Sequence, residues 1–75
     1  MPRLPVVSGR QAIRALEKAG FTVVAQEGSH VKMKKPGPTR TLIAIVPMHP
    51  ELARKTLLSI LRQADLSVEE FRALL

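Results

Sequence analysis

His30 stands at the head of an alternating stretch, His30-Val31-Lys32-Met33-Lys34, directly after Glu27-Gly28-Ser29. On an extended strand successive side chains point to opposite faces, so His30, Lys32 and Lys34 share one side and Val31 and Met33 the other. An imidazole titrates near neutrality and can act as acid or base. Ammonium groups beside it can hold phosphate. This is the equipment RNA cleavage asks for: a base for the 2′-OH proton, an acid for the leaving 5′-oxygen, and positive charge for the phosphorane oxygens. The reaction would be an internal transesterification to a 2′,3′-cyclic phosphate, with no metal required.

Each polar candidate has a plainer reading beside the chemical one; for His30 it is an ordinary exposed turn residue. His49 lies between Met48 and Pro50 and is either a second acid–base group or a helix-capping or packing residue. Lys32, Lys34, Lys35 and Arg40 can contact RNA phosphates, and lysines on a sheet edge also discourage edge-to-edge aggregation. Ser29 has neither an Asp–His relay nor a Gly-x-Ser-x-Gly elbow, so it reads as a turn residue within reach of RNA rather than a nucleophile. With two histidines and no cysteine, a metal site is not expected. Nor is an aromatic platform for stacked bases, since Phe21 and Phe71 are the only aromatic residues and both are expected in the core. Contacts should fall mainly on phosphate and sugar, giving weak sequence preference and strong salt dependence.

The elements that must position these groups follow from capping and periodicity. Ser8-Gly9-Arg10-Gln11 matches a capping box. Ala12, Ile13, Leu16 and Ala19 form one stripe of a helix over roughly 9–19, ended by Gly20 in a left-handed conformation. From Phe21 the period becomes two, with Phe21, Val23 and Ala25 on one side of a first strand and Thr22, Val24 and Gln26 on the other. Glu27-Gly28-Ser29 supplies a turn into the second strand, and Pro36-Gly37-Pro38-Thr39 another into a third over Arg40–Val46. Pro47-Met48-His49-Pro50 breaks that strand. Leu57, Ile60, Leu61 and Ala64 then make a helical stripe, and Ser67-Val68-Glu69-Glu70 is a second capping box. It opens a short C-terminal helix with Phe71, Leu74 and Leu75 as docking residues. The sum is an α+β, two-layer α-β-β-β-α sandwich with a three-stranded antiparallel sheet, an open sheet face and a short extra helix. The double-stranded-RNA-binding fold has this order.

Seventy-five residues allow one domain over 1–75, with 1–7 an extended segment. Twelve Lys and Arg against six Asp and Glu give a net charge of +6, which points to an anionic partner. A membrane is disfavoured because no apolar run approaches the roughly 20 residues of a span. Prolines in Met1-Pro2-Arg3-Leu4-Pro5 stand where a signal peptide needs an apolar stretch, favouring the cytoplasm. Without cysteine there is no disulfide or thiolate chemistry, and no cofactor is expected.

Several blocks together resemble a known family. Gln26-Glu27-Gly28-Ser29-His30 looks like the G-S-H signature of HicA toxins, and Val46-Pro47-Met48-His49 is similar to the segment closing their third strand. Val6-Val7-Ser8-Gly9 with Leu16-Glu17-Lys18-Ala19-Gly20-Phe21 is similar as well. So are Thr56-Leu57, Ile60-Leu61-Arg62-Gln63-Ala64 and Leu66-Ser67-Val68-Glu69-Glu70-Phe71. The resemblance covers nearly the whole chain. It implies the toxin of a type II toxin–antitoxin pair, an endoribonuclease (mRNA interferase) that cleaves messenger RNA and is neutralised by a HicB-like antitoxin protein. The family's catalytic histidine falls on His30. Where the family commonly has glycine before Thr-Leu, this chain has Lys55, so the second helix starts at either Pro50 or Thr56. The rival readings are a non-catalytic RNA-binding module using the same basic face, and an adaptor that docks only an acidic protein.

Overall fold

The computed structural model describes residues 3–75. The expected extended segment 1–7 therefore lies partly outside them, and residues 3–8 hold no helix or strand. The order of elements is α1 (Gly9–Lys18), β1 (Thr22–Glu27), β2 (His30–Pro36), β3 (Thr41–Pro47), α2 (Arg54–Ala64) and α3 (Val68–Leu74). This is the α+β sandwich expected from the pattern. The sheet is an antiparallel meander in the order β1-β2-β3.

Both capping boxes form. The Gln11 N–H donates to Ser8 Oγ at 3.1 Å, and the Ser8 N–H donates to Gln11 Oε1 at 2.9 Å. The Ser67–Glu70 pair repeats the arrangement at the start of α3. Each box satisfies two donors that a helix start leaves open, and losing such a cap costs about 1 kcal/mol. Gly20 takes φ 103 after α1, where a side chain would be strained. α2 starts at Arg54, with Ala53 as its N-cap and no side-chain cap bond. Neither Pro50 nor Thr56 is the start, because Leu52 is buried and its N–H is taken by Val7 O at 2.8 Å. That long-range bond holds residues 50–53 out of the helix.

The helices cover one face of the sheet, with α2 packed on β3 and α1 on β3 and α3. Val31 and Met33 of β2, Ala44 and Val46 of β3, Leu16, Leu57, Ile60 and Phe71 fill the space between the layers. Both phenylalanines are buried, as expected, but Leu75 is half exposed and does not dock.

The first strand departs from simple alternation. Its register with β2 pairs Val23 with Met33 but Ala25 with Lys32, so a bulge absorbs Val24. An extra residue in one strand reverses the facing of everything beyond it. Ala25 therefore joins the face of Lys32 rather than that of Val23, and Glu27 joins the face of His30. The expected grouping of Phe21, Val23 and Ala25 fails at Ala25 for this reason.

Candidate active site on the open sheet face

The open face is a grid of cross-strand rows set by the register. Glu27, His30 and Pro47 form the row nearest the β1–β2 turn; Ala25, Lys32 and Ile45 form the next; Thr22, Lys34 and Ile43 form the third. Rows are about 7 Å apart along a strand, and directly opposed residues have Cβ atoms about 5 Å apart. Ala25, Glu27, His30, Lys32 and Ile45 line one open concavity of about 380 Å³. A carboxylate, an imidazole and an ammonium thus converge over an aliphatic floor, and all three polar side chains are exposed.

His30 is fixed by its turn. Gly28 and Ser29 are the central residues of a two-residue hairpin, with Gly28 at φ 54. Positive φ at the first central position is the demand of a tight hairpin turn that matches strand twist, and glycine meets it without strain. Gln26 Nε2 donates to Gly28 O at 3.1 Å. The Met48 N–H donates to Ser29 O at 2.6 Å, and the Gly9 N–H donates to His49 O at 2.9 Å. The turn that carries His30 is thereby tied through residues 48 and 49 to the start of α1.

The other candidates scatter. Lys32 and Lys34 lie on the face of His30, in successive rows. Lys35 points to the helix side, half buried, with its ammonium 5.8 Å from the centroid of the Phe21 ring. This is a cation–π contact away from the His30 concavity. Arg40 lines a separate depression at the outer edge of β3 with Thr41, Leu42, Ile43, Arg62 and Gln63. There Gln63 Oε1 accepts the Ile45 N–H at 3.0 Å, so α2 occupies one edge donor of β3. His49 lines another surface hollow with Ser8, Arg10, Met48 and Pro50, and is not among the residues around His30. Ser29 stays in the turn. Among the described residues no three His, Cys, Asp or Glu side chains gather as a metal site needs, and no helix is long and apolar enough to cross a membrane.

The sequence pattern missed Glu27 and Ile45. Ile45 could have been placed from β3 parity once the register was known. Glu27 was hidden because unbroken alternation from Phe21 puts it on the opposite side; reading Gly28-Ser29 as a two-residue turn pairs it with His30, but a Val-Val pair gives no warning of the bulge that reconciles the two.

The family model described as the HicA toxin of bacterial toxin–antitoxin systems matches residues 9–66. That span includes α1, all three strands and α2, and with them the whole concavity around His30. A comparison with curated proteins gave no match.

Proposed function

The chain belongs to the HicA toxin family and is the toxin of a toxin–antitoxin system with a cognate antitoxin; from that premise we propose that it is a metal-independent endoribonuclease acting on messenger RNA, with His30 as its acid–base residue. The observation that carries this reading is the convergence of Glu27, His30 and Lys32 in one concavity. The Glu27 carboxylate removes the 2′-OH proton as that oxygen attacks the adjacent phosphorus. The P–O5′ bond breaks, and the His30 imidazolium delivers a proton to the departing 5′-oxygen. Lys32, one row away, balances the charge that builds on the non-bridging oxygens, and Lys34 in the third row holds the neighbouring phosphate. The products are a 2′,3′-cyclic phosphate and a 5′-hydroxyl.

Exposure supports the same assignment. The site sits on an uncovered sheet face that a long polymer can cross, and Ile43 and Ile45 are 41% and 36% exposed beside the lysines. Apolar side chains left among cations suit sugar and base contacts. They also suit burial under an antitoxin, whose inhibition we assign to coverage of this face.

The test is cleavage of a defined RNA by the purified chain and by His30→Ala, with end-group analysis of the products. Cleavage by the parent alone, giving cyclic phosphate ends, supports the proposal. Products with a 3′-hydroxyl, or equal cleavage by both proteins, overturn it. Equal RNA binding with no cleavage by either protein would leave a non-catalytic RNA-binding module.

A further inference from the structure

Most of the chain's exposed positive charge lies away from the His30 face, and part of it is in register. Arg10, Arg14 and Lys18 of α1 are all exposed and stand at i, i+4 and i+8. On a helix that spacing makes a row with steps of about 6 Å, all within one side of the cylinder. Arg14 and Lys18 line a shallow groove with Gln11, Ala15, Leu74 and Leu75, and no acidic residue lines it. The one carboxylate on the exposed side of α1 is Glu17, flanking Arg14. At the other end of the row, Arg10 shares the hollow of His49. The segment carrying His49 is hydrogen-bonded through Met48 to Ser29, the residue before His30.

We propose that α1 is the second half of an RNA track: a single strand whose scissile phosphate sits at His30 turns around the hairpin end of the sheet, passes His49, and lays successive phosphates on Arg10, Arg14 and Lys18. The inference rests on the ribonuclease reading for its first half only. Continuity from His30 to Lys18 is given by the Ser29–Met48 and Gly9–His49 bonds. The regular step of the row is close to the separation of consecutive phosphates on a strand, which favours nucleic acid over an acidic protein with irregular charges. The exposed Leu75 in the groove offers apolar contact for sugars or bases. The helices pack on the sheet face opposite to His30, so the two halves lie on opposite sides of a body with extents of 30 × 28 × 19 Å. A stiff duplex cannot fold around it, whereas a flexible single strand can. Two phosphates on the sheet face, a similar number around the end and three on α1 make a site of roughly seven nucleotides, within the range occupied by small single-strand binders.

The track is tested with fluorescein-labelled oligouridylates of five and twenty nucleotides, binding being read by anisotropy in the His30→Ala background so that no RNA is cut. Combining Arg10→Gln, Arg14→Gln and Lys18→Gln should leave pentamer binding unchanged and weaken twenty-mer binding at least tenfold. The slope of log K against log salt should fall by about 2, three cations at roughly 0.7 each on single strands. Glu17→Gln should tighten twenty-mer binding. If the triple variant loses thermal stability, Arg14→Gln alone should still lower the slope by about 0.7. Unchanged twenty-mer affinity and slope in a folded triple variant overturn the track, as does unchanged RNA binding with loss of the cognate antitoxin. Pentamer cleavage by the parent, compared with His30→Ala, tests the ribonuclease reading separately. A chain that binds the twenty-mer through α1 but cuts nothing would retain the track and lose the enzyme.

Discussion

Replacing Gly9 by alanine puts a methyl group where backbone already lies. Its Cβ would stand 2.1 Å from the Pro47 carbonyl oxygen and 3.0 Å from Met48 Cα. Reaching ordinary contact requires residues 47–49 to retreat by more than about 1 Å. Overpacking of this kind costs about 1–3 kcal/mol. The retreat also breaks the 2.9 Å bond from the Gly9 N–H to His49 O, worth about 1 kcal/mol. Alanine's better helix propensity returns up to about 1 kcal/mol, leaving a net loss of about 1–4 kcal/mol. For a domain of this size each kcal/mol lowers Tm by about 4–8 °C, so Gly9→Ala should melt at least about 4 °C below the parent. Thermal unfolding followed by circular dichroism measures this. The control is Gly28→Ala, where φ is 54 but nothing lies within 4 Å of the added Cβ; it carries backbone strain of about 1–2 kcal/mol and no clash. RNA cleavage should also fall in Gly9→Ala below its melting range, because the displaced segment holds the turn of His30 through Met48. If Gly9→Ala melts within about 2 °C of the parent, the close approach of α1 to the 47–49 segment does not organise this protein.

Other outcomes follow from the same contacts. Phe71 is the largest of the fully buried side chains; Phe71→Ala should cost about 3–5 kcal/mol, enough to leave so small a domain largely unfolded at 37 °C by circular dichroism. In cleavage assays Glu27→Gln should lower the rate by about 10²–10⁴-fold while keeping RNA binding by anisotropy, and an unchanged rate would remove Glu27 from the mechanism. The Ser67 N–H and hydroxyl hold the Glu70 carboxyl below its usual 4.5, so its contribution to stability is present above that value and disappears as pH falls through the lowered folded-state value. Glu70→Gln should therefore melt below the parent at neutral pH, with the difference closing in the acid range below 4.5; a difference independent of pH would mean that the ionised carboxylate does not contribute.

Local chemistry made most of the architecture legible. The two serine boxes name two helix starts, because a hydroxyl three residues before an amide or carboxylate can satisfy donors without help from elsewhere. Alternation in β2 placed His30, Lys32 and Lys34 on one face, because side-chain direction along an unbroken strand is a property of the backbone alone. Leu57, Ile60, Leu61 and Ala64 marked the buried stripe of α2 by their spacing.

What the chain did not disclose depends on partners distant in sequence. Glu27 faces His30 because Gly28 and Ser29 close a two-residue turn that pairs them, and it leaves the face of Val23 because β1 bulges at Val24; a bulge exists only relative to the strand it pairs with. Lys35 belongs to Phe21 rather than to the basic face, because strand β2 continues past Lys34 and keeps its parity. The start of α2 at Arg54 was decided by a bond between Leu52 and Val7, and the role of Gly9 by a carbonyl 38 residues away at Pro47. Periodicity and capping act within a few residues, so the sequence determined which elements form and which way their regular parts face. Register, bulges and close backbone approaches are contacts between elements, and only the tertiary structure could decide them.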